Sequence, residues 1–283
     1  MSHARQVHNI IRRFGRNRGA VFGATLLLVV IAMATTASVF FPHDPLRIVG
    51  PAQIWPFTNR QFFLGTDSMG RDIAAMIMHG SRTTLLIGLF ASLTAIVIGV
   101  TIGAISGFYG GWIAKFLLRF TELFQTIPSL ILVLTVVTIV GPELPHVILA
   151  IGAVTWTPIA RLTRAEFLTW RSRDFVAACR AMGMSDFGLI ASEILPNAIT
   201  PVIALSTLVV ATAILFESGL SFLGLADPTV STWGRLVGEG RGLIRSSWYI
   251  SALPGSAILL TVFALNLIGD GLSEALNPRS QGR

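Results

Sequence analysis

Charge is scarce in this chain. Only 12% of its 283 residues are Asp, Glu, Lys or Arg, while 53% are hydrophobic. Soluble domains carry about twice that charged fraction, so an ordinary soluble domain is excluded and a membrane protein is expected. Lysine is almost missing. Lys115, in WIAKFL, is the only one among 21 basic residues. A phosphate-binding P-loop needs Gly-Lys followed by Ser or Thr, so this chain cannot supply one. The single cysteine, Cys179, excludes an intrachain disulfide. His3, His8, His43, His79 and His146 show no HExxH spacing, and GxSxG is absent. Zinc-protease and serine-hydrolase chemistry therefore lack their constellations. The formal charge of +7 could suit nucleic acid, but the basic residues are spread over loops between apolar runs rather than gathered on one face. Neither nucleic acid, nor a metal, nor a cofactor is expected.

What the chain does have is long apolar runs. Six, near residues 20–41, 83–107, 117–140, 146–163, 198–223 and 250–270, reach or approach the roughly 20 residues that cross a bilayer as helix. The fourth is short and carries Pro158. The first follows Arg5, Arg12, Arg13, Arg16 and Arg18, exceeds the core of a signal peptide and is followed by no small-x-small site, so it reads as an uncleaved anchor. With the N-terminus inside, the cytoplasmic segments hold 14 basic residues and the external ones 7. The positive-inside rule then places both termini in the cytoplasm. Residues 42–80 are an external segment with breakers at Pro42, Pro45, Pro51 and Pro56. In the second run Ala91, Ala95, Gly99, Gly103 and Gly107 make a small-residue ridge, expected to pack within the bundle. The acidic residues in or near the runs are Glu122, Glu166, Glu217, Asp270 and Glu274. Glu217 is the most deeply placed and is expected to be a helix-packing, gating or pathway residue.

One cytoplasmic stretch, DFVAACRAMGMSDFGLIASEILPN at 174–197, reads as two short amphipathic helices joined at Gly183. Phe175, Ala178, Cys179 and Met182 share one face of the first, with Asp174 as N-cap. Phe187, Ile190, Ala191 and Ile194 share a face of the second, which Ser185 caps and Pro196 ends. Gly183 is expected to end the first helix in the left-handed region, where glycine has no Cβ clash. Two greasy stripes outside the spans need something to dock on. A helix pair lying on the lipid surface would also hide them.

The stretch resembles the hallmark loop of the permease subunits of bacterial ABC importers, in the dipeptide, oligopeptide and nickel group: E-A-A, three residues, Gly, nine residues, I-x-L-P. Ala177, Ala178 and Cys179 fill the first places, Gly183 the glycine and Leu195-Pro196 the end. Ala177 replaces the usual glutamate, and Glu193 the isoleucine. RNRGA at 16–20, LGTDSMGRD at 64–72, GFYGGW at 107–112, IPSL at 127–130, ESGLSFLGL at 217–225 and LNLIGDGLSEALNPR at 265–279 are similar to the same group, in order.

The resemblance implies an all-α membrane protein of six transmembrane helices, with the fold of a type I ABC importer permease and a cytoplasmic coupling-helix loop. Residues 1–80 would hold a cytoplasmic tail, the first span and the external segment, residues 81–272 a five-helix permease domain, and residues 273–283 a cytoplasmic tail. It implies a non-enzymatic inner-membrane subunit forming half of a path for short peptides, with nickel or another small solute as the alternative. The partners implied are a related permease in a heterodimer, two cytosolic ATPase subunits that hydrolyse the ATP, an extracytoplasmic substrate-binding protein, and membrane lipid. Phe175, Ala177, Ala178, Met182, Gly183, Phe187, Ile190, Leu195 and Pro196 would form the ATPase-coupling element. Readings of another class, an ion-coupled secondary transporter or an intramembrane enzyme, lack an inverted repeat, a buried carboxylate cluster or a catalytic constellation.

Overall fold

A computed structural model describes residues 3–225 and 227–276. They are helical almost throughout. The elements are α1 (His3–Arg16), α2 (Arg18–Phe40), α3 (Ile73–Phe108), α4 (Gly111–Thr126), α5 (Ser129–Val140), α6 (Leu144–Thr155), α7 (Thr157–Arg171), α8 (Asp174–Ala181), α9 (Asp186–Gly188), α10 (Leu195–Phe222), α11 (Trp233–Gly240) and α12 (Tyr249–Leu276). Among the described residues the only β pairing is two isolated bridges in the segment between α2 and α3.

Among the described residues four continuous helices are long and apolar enough to span a membrane: Arg18–Phe40, Ile73–Phe108, Asp186–Phe222 and Tyr249–Leu276. The third and fourth apolar runs are each broken. α4 and α5 meet at 86°, and α6 and α7 at 42°, so six spans result when each bent pair counts as one. The breaks have chemical causes. Ile127, before Pro128, is extended, as the proline ring demands of the residue preceding it. Pro158 sits in the first turn of α7 and cannot donate to the last turn of α6. The second span begins at Ile73, so residue 80, where the sequence divides the chain, lies inside a helix.

The small-residue ridge of α3 packs within the chain, against α6 and α7. A Cβ added at Gly99 would stand 2.7 Å from the Trp156 carbonyl, and one at Gly103 would stand 2.6 Å from that of Ala160. α2 and α12 close the other side, sharing with α3, α10 and α11 a core that includes Val30, Ile73, Met76, Ile214, Trp233 and Leu265.

At one end of the bundle, called the far end, the segment between α2 and α3 folds onto α11 and the start of α12. Asp67 accepts the backbone N–H of Met69 and of Arg71, each at 2.8 Å, and pairs with the Arg71 guanidinium. Arg71 also reaches Glu239 of α11, which Arg235 holds at 2.9 Å. Tyr249 donates its hydroxyl to the carbonyls of Ile54 and Thr66. The Trp233 indole donates to the Ile77 carbonyl at 2.9 Å, and Ser231 donates to that of Met76 at 3.0 Å. Asp72 caps α3 by accepting from Ala74. Burial pushes its carboxyl above the usual range, against the pull of the Ala74 and Ala75 amides.

Candidate functional site

The other end of the bundle carries the 174–197 stretch. α7 delivers the chain there: Arg171, in its last turn, donates to the terminal carbonyl of α3 at Phe108 over 2.7 Å, tying two helix ends together where a cation suits a helix C-terminus. After a short turn α8 begins with Asp174 as its first residue rather than as its cap. Arg173 holds the cap position and makes no side-chain capping bond. Asp174 still meets the positive end of the helix dipole.

Gly183 ends α8 with φ of 86°. Its N–H donates to the Arg180 carbonyl at 3.0 Å, and the Met184 N–H donates to that of Cys179 at 3.1 Å. This is the paired closure of a Schellman motif, which leaves the helix end satisfied within the chain. A Cβ at Gly183 would meet nothing within 4 Å, so within this chain only the backbone conformation asks for glycine. Ser185 accepts the Gly188 N–H at 3.2 Å and starts the next helix, a cap of about 1 kcal/mol. Arg180 reaches Asp186 across the joint at 3.7 Å.

Pro196 does not end that second helix. Between α9 and α10 the residues Leu189–Ile194 form a π-helical turn, and the helix runs on as one rod from Asp186 to Phe222. The π-turn is the physical reason. The Leu195 N–H bonds the Ile190 carbonyl, five residues back, so the register shifts just before the residue that has no N–H. Asn197 then gives its side-chain N–H to the Glu193 carbonyl at 2.7 Å.

Only part of the expected coupling set is brought together. Phe175, Met182 and Phe187 stand in the open at 38%, 78% and 79% exposure, and Ala177 and Ala178 are exposed beside them. Ile190 is half-buried, and Ile194, at the end of the second stripe, is fully buried. Leu195 and Pro196 belong elsewhere. With Ile96, Val100 and Ile199 they line an apolar recess between α3 and α10. Sequence reasoning missed the anchors of the joint. Val176 and Leu189 are buried in a core with Phe108, Phe167 and Ala198, and Trp170 packs edge-on against Phe175 at 6.3 Å. Val176 and Leu189 lie just off the two stripes, so a helical wheel centred one residue away would have found them.

Glu217 lies at the opposite end of α10 from the joint. It is 2% exposed, with one carboxylate oxygen accepting the Ser221 hydroxyl at 2.7 Å and the other without a hydrogen-bond partner among the described residues. It lines a small cavity with Ile87, Val147, Ser221 and Thr232. Among the described residues no three of His, Cys, Asp or Glu cluster as metal ligands. Arg279 and Arg283, and the end of the 265–279 motif, lie outside the described residues.

The family model for the inner membrane component of binding-protein-dependent transport systems matches residues 99–282. That for the N-terminal transmembrane domain of oligopeptide transport permease C matches residues 6–61. A di/tripeptide transport system permease of Pseudomonas aeruginosa (strain UCBPP-PA14) is 35% identical over 272 residues, covering 94% of this chain and 90% of that protein. A glutathione transport system permease of Pectobacterium atrosepticum is 32% identical over 269 residues, covering 95% and 89%. Among solved structures, the inward-facing MetNI methionine ABC transporter superposes with a TM-score of 0.56 at 18% identity, over 71% of this chain and 96% of that one. At that identity the likeness concerns the fold.

Proposed function

Because the chain belongs to the inner membrane components of binding-protein-dependent transport systems, we propose that it forms one half of the path of an ATP-driven importer of short peptides. The named substrates of its relatives support the peptide reading. The other half is a related permease subunit, substrate arrives on an extracytoplasmic binding protein, and two cytosolic ATPases supply the energy. Both termini and the joint face the cytosol, as the distribution of basic residues favours. The five-helix permease domain is 81–272, its first helix rising from Ile73 upstream, between an N-terminal unit at 1–80 that holds the first span and a short tail at 273–283.

One observation carries the reading. Phe175, Met182 and Phe187 are exposed around a turn whose backbone is closed within the chain by the bonds at Gly183 and Met184 and by the Ser185 cap. The backbone of the turn at Gly183 needs no partner, yet the apolar side chains around it do. That combination fits a helix-in-groove contact, in which the paired helices seat in a cleft of an ATPase. Leu195 and Pro196 transmit the seat's movement into α10, and Glu217 gates at the far end.

The test is reconstitution. The complex, purified through this chain and placed in vesicles with its binding protein, should take up a labelled dipeptide only when ATP is present on the ATPase side. Uptake that follows an imposed proton or sodium gradient without ATP would overturn the reading.

A further inference from the structure

α1 is an amphipathic helix outside the spans, and the coupling joint does not use it. Ile10 and Phe14 are half-buried, and Ile11 on the same face is 66% exposed. Arg12 and Arg16 are exposed on the other face, Arg13 is half-buried, and Arg18 follows exposed at the start of α2. None of these four arginines takes part in any of the six ion pairs found among the described residues. The sequence offers no local partner either, since the first acidic residue of the chain is Asp44, beyond the first span. The acids at this end of α12 are Asp270 and Glu274. Glu274 is occupied by the Asn17 side-chain amide at 2.6 Å, and neither acid is ion-paired to the arginines.

Where these charges sit is set covalently. Only Asn17 separates α1 from α2, and its side chain caps the membrane helix by accepting the Ala20 N–H at 2.9 Å. Arg18 is therefore the first residue of a spanning helix, and Arg12, Arg13 and Arg16 lie within two turns of it, about 10 Å along a helix. Such residues stand at the level of the phospholipid headgroups. The exposed Ile11 faces away from them, as in a helix that lies in the interface with its apolar side toward the acyl chains. α1 is also held to the bundle: Phe14 and Ala20 lie on Gly271 of α12, and Asn17 bonds Glu274.

We propose that α1 and the first turn of α2 form a binding surface for anionic phospholipid, with Arg12, Arg13, Arg16 and Arg18 holding headgroup phosphates. Lipid bound there braces the end of α12 through Phe14 and Asn17. The chemistry is that of guanidinium groups with no ion-pair partner among the described residues, presented to a surface of phosphate diesters, an attraction that grows with each basic residue near the membrane.

The experiment uses the purified complex in nanodiscs of phosphatidylcholine doped with phosphatidylglycerol, and native mass spectrometry to count the lipid retained. The parent should keep phosphatidylglycerol in preference to phosphatidylcholine. The variant Arg12→Gln/Arg13→Gln/Arg16→Gln should bind it about a hundredfold more weakly and retain little, while Arg12→Lys/Arg13→Lys/Arg16→Lys should keep most of it, which also shows that α1 still forms. Equal retention by the parent and the glutamine variant overturns the proposal. So does a glutamine variant that keeps its lipid but loses the ATPases, because the face would then belong to a protein partner.

Discussion

The two ends of the bundle are finished differently. At the far end, residues 64–72 and α11 bring four charged side chains together, and the central one, Arg71, is 3% exposed. Its Nε and Nη2, the carboxylates of Asp67 and Glu239 and the Met69 and Arg71 amides are engaged within the chain. At the joint, the only ion pair among the described residues is the exposed Arg180–Asp186 contact at 3.7 Å, and Phe187 and Met182 stand in the open. The ion network of the first closes within one polypeptide, although Phe57 and Phe63 of the same segment stand exposed. The second has a turn closed in its backbone and an incomplete set of side-chain contacts, the pattern of a surface shaped for another molecule. Damage at the far end should therefore show in the stability of the chain itself, and damage at the joint in what the chain assembles with.

Substitutions at the two ends test that contrast, ordered here by their effect on stability. Arg71→Met leaves Asp67 buried without its cation, which costs about 3–5 kcal/mol. Its thermal midpoint in detergent should fall well below that of the parent. An unchanged midpoint would mean that the far end owes little to its ion network. Gly183→Val forces a β-branched residue to a positive φ, at about 1–2 kcal/mol. Uptake should be lost at matched membrane levels, with the spans still inserted. Gly183→Asn should be the mildest change, because a Cβ there meets open space and the backbone alone sets the demand. If alanine is milder than asparagine, the glycine serves close approach by a partner instead. Phe187→Ser should be the quietest in the isolated chain, shifting stability by about 0.5 kcal/mol or less, yet it should cut ATPase co-purification roughly tenfold, as expected of a central aromatic anchor. A large loss of stability in Phe187→Ser would place that ring in the chain's own core and erase the contrast.

The sequence revealed these regions unequally, for physical reasons. Hydropathy located all six apolar runs because lipid demands unbroken apolar length. It placed the start of the second span late, near 83, because His79 and Arg82 dilute the average over residues that are nonetheless helical from Ile73. His79 is accommodated by the Phe41 carbonyl at 2.9 Å. The joint was legible in its periodicity and in Gly183, since both are local. Pro196 misled because a proline stops an α-helix only when the register before it is α, and here a π-turn precedes it. The Arg71–Glu239 pair was beyond reach, its members lying 168 residues apart. Nothing in LGTDSMGRD indicates which distant acid closes the network.

The unbroken rod from Asp186 to Phe222 has a mechanical corollary. At 1.5 Å per residue its 37 residues measure about 55 Å, with Phe187 near one tip and Glu217 near the other. A stiff beam pivoting at its middle moves both tips by equal amounts in opposite senses, roughly 5 Å for a tilt of 10°. The π-turn also sets the beam's angular phase. Removing one residue there would rotate Phe187 by about 100° relative to the rest of the helix and turn the handle of the lever away from whatever grips it.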